Sequence, residues 1–263
     1  MTTQLPIRPW KLVILIFILL AVILFAWTAW QFDQVSRQSE RHNYYYTIDL
    51  SYTTPIENVT LFLPVPEQNN TPVFITSLLD KTAYGISPDW DLSVVRENGS
   101  PMLAIRAVRM VPEYYGYPVA IEPEATVLPT TLVPGHEYSG DTPILMPVTI
   151  VVMETSVPEI DTRDPFGHEP LFFPKGPFTP KSCDTPGCKG PVYDHPVPVY
   201  ISYTSERPVV ISLRVSVSGS NSIWSGGWRG NTYSDTVFFE IANGTQGWMG
   251  GEGRLITAEG VYY

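Results

Sequence analysis

Three features of this 263-residue sequence predict an all-β domain carried on one N-terminal transmembrane helix. An unbroken apolar run lies near the N-terminus. After residue 43 the hydrophobic period changes from helical to two. Turn residues, 26 prolines and 19 glycines, then punctuate the chain every eight to twelve residues or so. The expected architecture is an antiparallel β-sandwich of Greek-key or jelly-roll type.

The apolar run is Leu12–Trp30, LVILIFILLAVILFAWTAW, with no charge, Pro or Gly. A helix of about twenty such residues crosses the roughly 30 Å hydrocarbon layer and satisfies its own backbone there. Residues 1–11 read as a cytoplasmic tail, 12–30 as an uncleaved signal-anchor, 31–43 as a helical stalk and 44–263 as an extracellular sandwich. A cleaved signal peptide is the rival reading. The run is longer than the usual apolar core of such peptides, however, and Ala26-Trp-Thr28 is a poor cleavage site. Trp10 and Lys11 at one edge, with Trp27 and Trp30 at the other, suit the two interfacial belts.

Charge barely settles the orientation. Arg8 and Lys11 precede the run, and Arg37 and Arg41 follow it together with Asp33 and Glu40. Sequons add the direction: Asn58, Asn69, Asn98 and Asn243 each begin an N-x-S/T triplet and use four of the eight asparagines, so the domain is placed outside the cell membrane. Beyond residue 43 acids outnumber bases two to one. Such a field repels nucleic acid, which is excluded as a partner.

Strand patterns begin at Tyr44, where Tyr44, Tyr46, Ile48, Leu50 and Tyr52 alternate with polar positions. Val59–Val65 follows, and Asn98-Gly99 is expected to join Leu92–Glu97 to Met102–Met110 in a hairpin. Val148–Met153, Val197–Thr204, Val209–Ser218, Tyr233–Ala242 and Arg254–Tyr263 complete the set. One echo stands out: Ser51-Tyr-Thr-Thr-Pro55 resembles Ser202-Tyr-Thr-Ser-Glu-Arg-Pro208. Duplication and convergent turn chemistry both account for it.

A Pro-rich insert at about 156–198 carries ten prolines and both cysteines. Cys183 and Cys188 flank a Pro-Gly turn, and outside the cell they are expected to form a disulfide. The alternative is a metal site joining the thiolates to His168 or His195. Asp161, Asp164, His168 and Glu169 form an oxygen-rich loop that could hold calcium, and His136, Glu137 and Asp141 form another, although neither has EF-hand spacing. The Gly135-His-Glu137 stretch lacks the second His of HExxH, and Gly247-Trp-Met-Gly-Gly-Glu-Gly253 lacks the Lys of a P-loop.

Aromatic residues are the remaining signal. Trp224, Trp228, Trp248 and Tyr233 surround expected Gly-rich turns, where they could form a platform for sugar rings or partner residues or pack across a sheet end. Phe166, Phe172, Phe173 and Phe178 pose the same choice between covering a sheet edge and forming an exposed patch. The sequence thus points to a single-pass surface protein that binds other envelope components or glycans. A tethered metal-dependent hydrolase and a structural subunit of a membrane complex or surface lattice are the competing expectations.

Overall fold

A computed structural model describes residues 9–97, 99–115, 144–173, 176–183, 190–242 and 244–258. Helix α1 (Pro9–Gln38) leads into β1 (Arg41–Tyr52), β2 (Ile56–Pro64), the short β3 (Glu67–Gln68) and β4 (Thr71–Pro72), and helix α2 (Ile75–Leu79). Then come β5 (Asp91–Glu97), β6 (Ser100–Met110), β7 (Glu113–Tyr115), β8 (Ile144–Met146), β9 (Val148–Ser156) and β10 (Thr179–Lys181). Strands β11 (Val192–Thr204), β12 (Ile211–Trp224), β13 (Trp228–Ile241) and β14 (Gly247–Ile256) finish the fold.

The long strands form one antiparallel sheet in the order β5-β6-β2-β11-β14-β13-β12-β1-β9, with β10 beside β11. The antiparallel β expectation therefore holds. The expected division into two separate sheets is replaced by one curled sheet. Its corner is β14, which pairs with β11 over Gly247–Ile256 but with β13 only over Gly253–Ile256. Both halves feed a single core: Leu61 and Ile201 come from one, Ile48 and Val215 from the other. Cross-links hold the curl. The Tyr46 hydroxyl on β1 donates to the Pro64 carbonyl at 2.8 Å, and Tyr84 pairs with Val151 on the end strand β9.

The repeated Ser-Tyr-Thr motif marks two equivalent crossings. Strand β1 pairs with β12 and β2 pairs with β11, so both β1–β2 and β11–β12 pass from one half of the sheet to the other. The two connections lie side by side: Thr53 N–H donates to Val210 O at 3.3 Å, and Ser205 Oγ donates to Pro55 O at 3.4 Å. Similar turn chemistry thus performs the same geometric task twice.

Helix α1 is 30 residues long, or about 45 Å at the usual rise. Its segment Leu12–Gln38 is long and apolar enough to cross a membrane, and none of its apolar window is buried in the protein. The helix ends earlier than the expected stalk, and β1 starts at Arg41. Ser39 explains the stop: its Oγ donates to Ser36 O at 2.6 Å and accepts the Trp224 N–H at 2.8 Å. The last helical turn is thereby fixed to the β12–β13 hairpin.

The Gly-rich run at 247–253 is the corner strand itself rather than a turn. A Cβ on Gly251 would lie 2.2 Å from the Phe239 ring, and one on Gly253 would lie 2.7 Å from His195 Nε2. These glycines let rings from the flanking strands lie across β14. Gly253→Ala is therefore expected to lower stability by about 1–3 kcal/mol through overpacking. Gly250→Ala, whose Cβ would meet open space, changes it by less than about 1 kcal/mol. Denaturant titration of the two variants measures the contrast.

Candidate functional site

The stretch from Val157 to Phe173 has no strand of its own, yet it carries Leu171 and Phe172 fully into the core. Backbone groups taken inside need partners, and buried side chains supply them. Asn221 Oδ1 accepts the Ile160 N–H at 3.0 Å, and its Nδ2 donates to Ile160 O at 2.8 Å. Glu169 Oε1 accepts from Asp161 N–H at 2.8 Å, while Oε2 accepts from the Tyr44 hydroxyl. Tyr233 donates its hydroxyl to Pro170 O at 2.9 Å, and Asp235 Oδ2 accepts from Phe172 N–H at 2.9 Å.

Asp235 also meets His195, whose Nε2 lies 2.8 Å from Oδ1, with both side chains fully enclosed. The matching tautomer places the proton on Nε2. Among the described residues, no hydrogen bond reaches Nδ1. The Phe178 ring lies 4.6 Å from the imidazole. This arrangement has two carboxylates, an imidazole and two phenols in one buried group, but their partners are mostly backbone groups of the same segment. Its chemistry is that of a clasp. Burial pushes the phenols of Tyr44 and Tyr233 up, and the neighbouring Glu169 carboxylate adds to the effect.

A second polar group lies on the outer face. Asp194 receives Lys181 Nζ at 2.6 Å and Arg254 Nε at 3.3 Å, tying β10, β11 and β14 together. Burial works against the Asp194 charge, but the bonds from Lys181 and Arg254 outweigh it and hold the carboxyl below its ordinary value.

The outer face also carries an aromatic surface. Strand alternation turns Phe62, Tyr200 and Trp248 away from the core, and register sets them in one row. Phe62 and Tyr200 stack at 5.0 Å, with Trp248 5.4 Å from Tyr200. Next to this row, Pro198 and Pro196 bring no N–H to the ladder, and pairing of β11 with β2 ends at Tyr200. The gap left between β11 and strands β2 and β6 is a cleft of about 500 Å³. Trp248, Phe173, Met102 and the two prolines give it an apolar floor, and Glu67, Glu97 and Ser100 stand at its edge.

The structure separates the four residues expected to share a ligand platform. Tyr233 is buried in the clasp, Trp248 stands by the outer cleft, and Trp224 and Trp228 face each other at the base of the β12–β13 turn near α1. The expected calcium ligands also diverge. Glu169 turns inward, Asp161 Oδ1 caps the N–H groups of Arg163 and Asp164, and the His168 carbonyl accepts from Gln68. Among the described residues, no group of three or more His, Cys, Asp or Glu is placed to hold a metal ion.

Several expected features lie outside the described residues: Cys188 of the Cys183–Cys188 pair, His136, Glu137, Asp141, and the sequon residues Asn98 and Asn243. Asn58 and Asn69 are exposed in left-handed backbone, both at φ 51°. Sequence reasoning missed Phe62 and Tyr200, whose alternation was legible but whose register with Trp248 was not. It also left His195 and Asp235 unpaired, since Gly253 between them is the only local trace of their contact. Comparison with known protein families, curated proteins and solved structures found no match.

Two outcomes test these assignments. Asp235→Ala strands the Phe172 N–H and the His195 Nε2–H inside the protein, and is expected to cost about 3 kcal/mol or more in denaturant unfolding. Asp194 has its folded pKa below the unfolded one, so its contribution is present above about pH 4 and is lost as the pH falls. In melting temperatures measured across pH, Asp194→Asn is expected to lie below the native protein at neutrality and to converge with it in acid.

Proposed function

We propose that this is a single-pass membrane protein whose domain lies outside the cell and binds saccharide chains in the cleft beside Trp248. The observation that carries the reading is the row Phe62, Tyr200 and Trp248 next to a cleft with carboxylates at its edge. Flat apolar rings suit the C–H faces of sugar rings, and Glu67, Glu97 and Ser100 can accept or exchange hydrogen bonds with sugar hydroxyls. A site needs this combination of an apolar floor and a few placed polar groups. The exposed apolar length of α1 supports the span, since only a lipid phase covers such a surface without a protein partner. The sequons at Asn58 and Asn69, both exposed, support the external side.

Lateral assembly is the second reading. Strand β9 is an end of the sheet, and Met153, Val157 and Tyr84 beside it are 59%, 94% and 76% exposed. Tyr84 occupies the edge at Val151, so a second copy packed against this side would cover them and could pair only with the part of β9 beyond it.

The full chain, reconstituted in lipid nanodiscs, tests the first reading by calorimetric titration against soluble oligosaccharides of neutral and amino sugars. Binding is expected, and Trp248→Ala should weaken it about tenfold or more while leaving the melting temperature within a few degrees. Equal affinity in the variant, or no binding across the panel, overturns the saccharide reading.

A further inference from the structure

The β12–β13 hairpin reaches back along α1 to where its apolar run ends. The Trp224 ring lies 5.5 Å from that of Phe32, and a Cβ on Gly226 would lie 3.9 Å from Phe32 Cζ. Phe32 is only two residues beyond Trp30, about 3 Å along the axis. Helical side chains also lean toward the N-terminus. The turn Ser225–Gly227 therefore stands at the level of Trp30, inside the zone where a spanning helix meets lipid headgroups.

The composition of the turn fits that zone. Trp224 packs on Phe32, but Trp228 leaves 59% of its surface exposed. Arg41 sits over the Trp228 ring at 5.5 Å, and Arg229 follows it, exposed. No acidic residue occurs between Arg207 and Ser234, in a chain with 26 acids against 16 bases. On the helix side Asp33 is engaged by Arg37 and Glu40 lies against His42, so the hairpin itself offers amphipathic rings and arginines without a carboxylate, the chemistry of a bilayer interface, where Trp settles at headgroup depth and Arg meets phosphate. These residues gather at a turn that packs directly against α1.

We propose that the tip of this hairpin is a second membrane contact, with Trp228 in the headgroup layer and Arg41 and Arg229 on lipid phosphates. This rests on the reading that α1 spans the membrane. With two contacts, the domain is held upright instead of swinging on one helix. The opposite end of β12, at Ile211, then stands at most about 45 Å from the bilayer.

The test uses the full chain in phosphatidylcholine–phosphatidylglycerol vesicles containing brominated acyl chains. A polarity-sensitive fluorophore is placed at Gly227→Cys, where a side chain meets open space, and at the distant exposed turn by Arg207→Cys, both with Cys183→Ser and Cys188→Ser. The label at 227 is expected to shift to the blue and to be quenched severalfold more than the label at 207. Native tryptophan fluorescence gives a label-free check: Trp228→Phe should remove part of the lipid-dependent quenching. Equal, weak quenching at 227 and 207 with an unchanged Trp228→Phe signal, in protein that resists alkaline carbonate extraction, overturns the second contact and leaves the span standing. Release by carbonate overturns the span itself.

Discussion

A chain segment without strand partners cannot enter a protein core unless other groups take up its N–H and C=O bonds, and the closure of this sheet depends on meeting that condition. Leu171 meets it by pairing with Glu67 of β3, and the rest of residues 157–173 through Asn221, Glu169, Asp235 and Tyr233, each donating to or accepting from a backbone atom of the segment. Leu171 and Phe172 can then fill the space between the two halves of the curl. The prolines of this stretch also help, because each removes one N–H that would need a buried acceptor. A Pro-rich composition that looks unfoldable as a strand is well suited to a plug.

The clasp in turn constrains the sheet. Tyr233 reaches Pro170 only because Gly219 on β12 leaves room for its ring: a Cβ there would lie 2.4 Å from Tyr233 Cε1. His195 reaches Asp235 across Gly253 by the same means. Two strands, β12 and β14, thus give up side chains so that their neighbours can project large side chains diagonally, with Gly251 doing so for the Phe239 ring. Glycine ordinarily weakens a strand. Here the loss is offset by the buried hydrogen bonds that the missing side chains permit.

Much of the fold was legible in the sequence because alternation is a local signal. Tyr44 to Tyr52 and Ile211 to Val217 sit in strands as their period requires, and Leu92–Glu97 pairs with the start of β6 as the expected hairpin needs. What escaped was pairing, which depends on residues far apart in the chain. Single-sheet connectivity turns on β14 serving two neighbours, and a run of four glycines in seven residues reads locally as a turn. Glu169 illustrates the same limit at the candidate site. Its acidic neighbours Asp161 and Asp164 suggested a solvated or metal-binding loop, but the Tyr44 hydroxyl, 125 residues away, turns it inward. The helix boundary was likewise set from afar, by the Trp224 N–H on Ser39.

The aromatic residues show how such distant contacts decide a side chain's surroundings. Composition alone cannot distinguish Tyr233, Trp248 and Trp228, since all three lie near glycine in the C-terminal third. Their environments differ completely. Tyr233 has its hydroxyl engaged and no exposed surface, so it can only hold the fold. Trp248 leans on Tyr200 and Phe62, which immobilise its ring while leaving one side of it open to a cleft; a ring already held in place loses little freedom when a ligand stacks on it. Trp228 is braced by Arg41 at the foot of the domain, beside the end of the apolar helix. Strand parity and position along β13 and β14 therefore sort one residue class into three physical roles. Only the group at Trp248 has an open ring face turned away from both the core and the helix, which is why the proposed saccharide site is placed there.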